Sequence, residues 1–303
     1  MISGLLLAAG LLAASGQTAP QTAPQTAPQA AEATRLDDVV VNAERLAERV
    51  ETFVEDINSP PVNRGPARWR REVCVGVANL KPEAAQIIAD RVSEVAVRSG
   101  LEAGEPGCSP NILIVATDDG DAMARGLVER SPRAFRPAYS GAARSSEQLE
   151  AFLTSPAPVR WWHVSIPVAR DTGQIAVRIP GYLPPLIEGA NSRIRASTRN
   201  DLLRAFVIVD LDRAAGVSFQ QLGDYIGMVA MAQIDPDADT AGYDTVLNLF
   251  DTGHPVDGVT DWDISYLTAL YGAELNRAAS RQQAGEIASS MIRDQRRQQD
   301  DAF

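Results

Sequence analysis

The sequence predicts an α+β fold, and three observations carry that prediction. Strand-like and helical runs alternate from Trp69 onward. One run, Asn111-Ile112-Leu113-Ile114-Val115-Ala116, is continuously apolar, the mark of a strand buried on both faces. Two longer runs, Pro82 to Ser99 and Val217 to Ala232, repeat apolar residues at helical spacing and are long enough to cover a sheet.

In chain order, Leu36 to Ala43 is a short β-prone run. Glu44 to Ile57 follows as a helix with Leu46, Val50, Phe53, Val54 and Ile57 on one face, stopped by Ser59-Pro60-Pro61. Val73, Val75 and Val77 alternate in a strand from Trp69 to Val77 that carries Cys74. Pro82 opens the first long helix and Gly100 ends it. After the apolar strand come a short helix (Met123 to Glu129), a loop (Pro132 to Ala143) and a second short helix (Ser146 to Leu153). Val159 to Val168 and Gln174 to Ile179 read as a strand pair turned by Asp171-Thr172-Gly173. Pro180 to Ala190 reads as loop, Leu203 to Leu211 as a strong strand. The second long helix stops before Asp235-Pro236. Thr245 to Phe250 reads as a short extended piece. Thr260-Asp261 caps a helix to Tyr271, and a polar helix covers 276 to 296.

The N-terminus has a different character. Met1 to Ala14 holds an apolar run of about a dozen residues, short of the roughly 20 that span a bilayer. It fits the apolar part of a secretory signal peptide, with Ala14 and Gly16 suited to the cleavage site, although no Lys or Arg precedes it. No Cys follows to take a lipid anchor. Gln17-Thr18-Ala19-Pro20 then repeats through Pro28, and Pro at every fourth position predicts an extended, disordered spacer. The expected organisation is therefore a signal peptide (1–16), a linker (17–35), a strand and helix segment (36–64), the main α+β domain (65–275) and a C-terminal polar helix and tail (276–303). That places the protein in the periplasm or outside the cell, with no transmembrane segment after cleavage.

Acidic residues outnumber basic ones by 39 to 28, for a net charge of −11. Such a chain repels phosphate backbones, which argues against nucleic acid as a partner. Cys74 and Cys108 are the only cysteines. In an oxidising compartment two thiols pair, and this pair would staple neighbouring strands across a strand–helix–strand unit. A metal or nucleophilic role is the alternative, although no His lies near either in sequence.

Two histidines, His163 and His254, are all the chain has. A His-rich zinc site is thereby excluded, and any hydrolase chemistry has two candidate bases. His163 sits in the strand stretch Arg160-Trp161-Trp162-His163-Val164, His254 in a loop, and each also reads as an ordinary structural or solvated residue. Trp161, Trp162, His163 and His254 are candidate binding residues. There is no G-x-S-x-G elbow, Walker loop or dinucleotide glycine fingerprint. Asp118-Asp119-Gly120-Asp121 lacks the spaced ligands of a calcium loop and reads as a solvated acidic turn.

The most informative stretch is Val217-Ser218-Phe219-Gln220-Gln221-Leu222-Gly223-Asp224-Tyr225-Ile226-Gly227-Met228. Its frame resembles the active helix of metzincin-type zincin metallopeptidases, H-E-x-G-H-x-x-G-[LM], at Leu222, Gly223, Gly227 and Met228. In that pattern two His one turn apart hold zinc and the Glu activates water. Here Gln220 and Asp224 stand at the His positions, Gln221 at the Glu position and Ala230 at that of the third ligand. Thr245-Val246-Leu247-Asn248-Leu249-Phe250 is similar to the S-I-M-N-x-[FY] turn beneath the zinc. Val259 to Gly272 resembles the L-T-x-x-D-x-x-x-L-x-x-L-Y-G helix that closes such domains. The resemblance covers residues 203 to 272 and implies a zincin-like mixed sheet with long helices. It implies no catalytic residues and no cofactor. It also suggests that Gln220 and Asp224 hydrogen-bond to each other across the old metal site.

Asp38-Val39-Val40-Val41-Asn42-Ala43 is similar to the D-x-V-V-V-T-A run near the start of TonB-dependent receptors. The resulting expectation is an exported, non-catalytic, zincin-like binding or scaffold module with a protein or peptide partner in the envelope. The rival readings are a hydrolase or peptidase of unrecognised type using His163 or His254, and an accessory to a TonB-type outer-membrane system acting through residues 36–43.

Overall fold

The computed structural model describes residues 44–60, 65–137, 145–177, 196–251, 253, 256–274 and 280–301. All belong to one compact unit, Glu44–Phe303. The expected signal peptide, linker and 36–43 strand, His254, and the loop from Pro180 to Ala190 lie outside the described residues.

The fold is α+β. Its elements run α1 (44–57), β1 (Val75–Ala78), α2 (Pro82–Arg98), β2 (Ile112–Thr117), α3 (Gly120–Arg130), α4 (Pro132–Phe135), α5 (Ser146–Thr154), β3 (Val159–Ala169) and β4 (Thr198–Asp210). After these come α6 (Phe219–Met231), a 3-10 turn (Val246–Asn248), α7 (Asp261–Gly272) and α8 (Ser280–Asp301). The four strands form one mixed sheet in the order β1-β2-β4-β3. β1, β2 and β4 are parallel, and β3 runs antiparallel to β4.

Alternation along the strands divides the apolar residues between two layers. On one face Ile112, Ile114, Ala205, Val207, Val209 and Trp161 meet a large core that includes Val92 and Val95 of α2, Ile226 and Val229 of α6, and Leu267 and Leu270 of α7. Phe53 of α1 and Met291 of α8 belong to the same core, so the segments flanking the expected 65–275 domain share it. On the other face Trp162, Val164, Phe206 and Ile208 meet Ala124 of α3, Phe135 of α4 and Phe152 of α5. The apolar strand β2 is therefore covered on both sides, as its composition requires.

Four expected elements differ. Only Val75–Ala78 of the 69–77 run is a strand. Ahead of it, Arg68 bridges Asp201 and Val73 bridges Ala103, because this stretch crosses the end of the sheet before it aligns with β2. The Trp69 indole turns inward and donates to the Ala230 carbonyl at 2.9 Å. Within Pro132 to Ala143, expected as loop, Pro132–Phe135 is a helical turn, anchored where the Phe135 ring stacks on Phe206. The turn at 171–173 is present, with Gly173 at φ 70°, but the returning chain makes a single bridge, Ile175 to Val168. Thr245 to Phe250 is a 3-10 turn rather than an extended piece. The acidic run is not a free turn either: Asp119 caps α3 through the Ala122 amide and Asp121 pairs with the buried Arg160 at 2.8 Å.

Cys74 and Cys108 form a disulfide. Cys74 precedes β1 and Cys108 precedes β2, so the bridge staples the β1–α2–β2 unit at the start of both strands. The Cys74 carbonyl also accepts from the Asn111 and Ile112 amides at 3.0 Å. Closing a loop with a sequence separation of 34 is worth about 3–4 kcal/mol in the chain-entropy account. A Cys74→Ser/Cys108→Ser variant is expected to lose about that much stability, read as a lower urea midpoint with an unchanged fold by circular dichroism. Non-reducing peptide mapping of the native protein should recover a single Cys74–Cys108 linked pair.

Candidate functional site

Helix α6 begins with a capping box. The Ser218 side chain accepts from the Gln221 amide, and the Gln221 side chain reaches back to the Ser218 amide at 3.2 Å. Gln221 also donates through Nε2 to the Val256 carbonyl at 2.9 Å. Gln220, one residue earlier, is exposed.

Glycine sets how closely α6 approaches α2. A Cβ on Gly223 would stand 2.7 Å from Arg91 Cβ, and one on Gly227 would stand 2.7 Å from Val95 Cγ2. The two helices therefore meet almost backbone to backbone along Gly223 and Gly227. Asp224 lies beside this seam, buried. Arg91 of α2 grips it with two parallel hydrogen bonds, Nε to Oδ1 at 2.8 Å and Nη2 to Oδ2 at 2.7 Å. The Val259 amide adds a third at 3.1 Å. A Cβ on Gly258 would run into the same carboxylate.

The expected Gln220–Asp224 hydrogen bond is not formed. Arg91 and Val259 take both Asp224 oxygens, and a fork-shaped guanidinium outcompetes a neutral amide for a carboxylate. Gln221 and Asp224 instead share a task, since both bind the 256–259 segment ahead of α7. Ala230 is buried, and its carbonyl accepts from the Trp69 indole at 2.9 Å. Of the four positions at which the zincin pattern places its ligands and base, Gln221 and Asp224 are thus bound to the 256–259 segment, Gln220 is exposed and Ala230 is in the core. Among the described residues no group of three or more His, Cys, Asp or Glu side chains is placed to hold a metal ion.

Beneath α6, the 3-10 turn is tied to α7 by one carboxylate. Asp263, fully buried, accepts from the Thr245 hydroxyl at 2.5 Å, the Val246 amide at 2.8 Å and both the amide and hydroxyl of Thr260 at 2.9 Å. It stands at the Asp of the L-T-x-x-D pattern that Val259 to Gly272 resembles. Its sequence signal is the capping box that it forms with Thr260, three residues before it. Desolvation pushes its carboxyl up to about 6, opposed by the four donors.

The remaining candidates lie on β3. Among the described residues this strand ends the sheet, with β4 as its strand partner. Asp210 donates to the Pro158 carbonyl, so the alternation of an antiparallel ladder turns the main-chain groups of Val159 and Trp161 away from β4. The same alternation accounts for the far end, where the outward Pro167 carbonyl and Ala169 amide bond to Ala176 and Gln174. At the near end Val159 and Trp161 line a cleft of about 640 Å³ but are themselves buried, 1% and 8% exposed. Its floor includes Val159, Trp161 and Trp162; α5 forms one wall through Gln148 and Phe152, and the loop Asp235-Pro236-Asp237 forms the other. Because Trp161 and Trp162 lie on opposite faces of the sheet, the cleft straddles the strand edge. The Trp161 indole donates to the Ile234 carbonyl at 3.1 Å and the Trp162 indole to the Phe135 carbonyl at 2.9 Å, which fixes both rings. His163 is on the same strand, 1% exposed, and is not among the residues that line the cleft.

Comparison with known proteins returned no matching family, no matching curated protein and no matching solved structure.

Two outcomes follow from this geometry. Replacing Arg91 with Met leaves the Asp224 carboxylate buried without its cation and is expected to cost about 2–3 kcal/mol. The Arg91→Met/Asp224→Leu double variant should recover most of that loss, and a double-mutant cycle in urea measures the coupling. For Asp263, the folded carboxyl near 6 lies above the unfolded value of about 3.9. The folded state then binds the proton more tightly. The stabilisation so gained is complete below about pH 4 and is lost as pH rises through about 6. The unfolding free energy of the native protein, minus that of Asp263→Asn, should fall by about 2–3 kcal/mol between those limits and stay level above pH 7.

Proposed function

We propose that this chain is a non-catalytic, zincin-like binding module of the cell envelope. Its partner is a protein or peptide of the envelope. The observation that carries this reading is the cleft of about 640 Å³ lined by α5, Pro156, Ala157 and the Asp235-Pro236-Asp237 loop, which offers a concave surface to such a partner.

The zincin-like part of the reading is supported by order and placement. A long strand, β4, feeds directly into α6, the 3-10 turn at Val246–Asn248 packs on α6, and a capped helix, α7, follows. This is the succession that the resemblance in residues 203 to 272 implies. The non-catalytic part is supported by Asp224, whose carboxylate is committed to Arg91 and Val259, and by Gln220, whose amide is in solvent. The disulfide fits an oxidising compartment, and among the described residues no helix is long and apolar enough to cross a membrane.

The test has two arms. Protein reconstituted with excess zinc and then desalted is expected to retain less than stoichiometric metal by mass spectrometry; a full equivalent held by the wild type and lost in Asp224→Asn would sink the non-catalytic reading. Hydrogen exchange with and without a bound partner peptide should show slowed exchange in α5 and the 235–237 loop. Protection confined to other elements would place the partner elsewhere.

A further inference from the structure

A second cavity, of about 360 Å³, lies on the α3–α5 face of the sheet where β2 begins beside β4. Its interior is apolar. Leu113 of β2 and Leu127 of α3 line it, and so do Phe135 and Phe206, whose rings stack at 4.2 Å. The cavity is open to solvent: Leu113 and Leu127 are only half-buried, and Arg130, Ser131 and Arg204 at its rim are exposed. β2 is an interior strand, flanked by β1 and β4, yet it leaves the Leu113 side chain partly in water among the described residues.

A β-bulge sets the charge at this cavity. The β3–β4 register shifts between Val164 and Ser165, where Leu202 and Arg204 face successive β3 residues and Leu203 is the extra one. Leu202 and Ala205, three apart, both belong to the main core. Counted from Leu202, strict alternation would send Arg204 into that core as well. The extra residue sends it instead to the face that Phe206 occupies, where it lines the cavity. Arg130, the last residue of α3, stands on the same rim. Among the described residues neither guanidinium has a hydrogen-bond or ion-pair partner, and no Asp or Glu lines the cavity. In a chain of net charge −11 this opening is cationic and unneutralised.

We propose that this cavity binds a small organic anion. Its carboxylate head meets Arg130 and Arg204, and its apolar body lies on Leu113, Leu127 and the stacked phenylalanines. The volume falls within the range of about 300–1,000 Å³ usual for small-molecule sites. A guanidinium offers a planar fork of donors that matches a carboxylate. An ammonium head would meet two like charges, and an uncharged head would leave both forks unused. The site is distinct from the cleft beside α5 and does not depend on the partner assigned to that cleft.

The experiment titrates the full chain with octanoate, octanol, octylammonium and acetate, all below micelle-forming concentrations, by isothermal calorimetry. Octanoate is expected to bind about tenfold or more tightly than octanol or octylammonium, because only it engages both guanidiniums. Acetate, which has the head without the body, should show no measurable binding. The preference for octanoate should weaken with rising salt and fall by about tenfold in Arg130→Gln/Arg204→Gln, whose fold far-ultraviolet dichroism checks. Equal binding of octanoate and octylammonium to the wild type, or no octanoate binding, would overturn the proposal without any variant. Octanoate affinity unchanged in the folded double Gln variant would place the ligand elsewhere and overturn it too. None of these outcomes bears on the cleft beside α5.

Discussion

Helices α2 and α6 lie against each other with no side chain on the α6 face of contact at Gly223 and Gly227. Much of the molecule depends on that close approach. It brings Arg91 within reach of Asp224 and thereby neutralises a carboxylate that would otherwise be buried alone, at a cost of several kcal/mol. It also holds α6 flat on the sheet, so that Ile226 and Val229 fill the main core. The 256–259 segment then closes over the Arg91–Asp224 pair through the Val259 amide and the Gln221 side chain, and so delivers α7 to its place.

A second carboxylate works in the same way one layer further on. Asp263 gathers four donors from the 3-10 turn and the start of α7, and Asn248 in that turn bonds back to Thr240 and Tyr243. Around it Phe53, Tyr243, Trp262 and Tyr266 form an aromatic cluster that joins α1 to α7. The region that resembles a peptidase centre is thus built as a rigid interior, with its polar groups turned toward one another. Elsewhere, a cleft beside α5 is lined by Asp235 and Asp237.

The legible parts of the fold were those with local causes. Helix α2 starts at Pro82, and α7 is capped by Thr260 and α5 by Ser145, because capping and proline act within a turn of the chain. The strand–helix–strand unit and its disulfide followed from one cysteine in a β-prone run and a second at the entry of the next. The errors had non-local causes. The strand expected over 69–77 is shortened because Arg68 bridges a residue on β4 far along the chain. The extended piece expected at 245–250 curls because Asp263 recruits Thr245 and Val246. Gln220 and Asp224, one turn apart, were expected to pair, yet the partner that Asp224 takes comes from α2, 133 residues earlier.

By itself the sequence determined the fold class, the two long helices and the disulfide, because periodicity, caps and cysteine spacing are written within short stretches of chain. It also determined that the zinc ligands of the pattern it resembles are replaced, since residue identity alone decides that. Only the tertiary structure decided what the replacements do. The burial of Asp224 under Arg91, the fourfold coordination of Asp263 and the cleft between α5 and the 235–237 loop all arise from groups brought together across the chain. Such meetings depend on how helices and strands stack, and the spacing of residues within one segment carries no record of them.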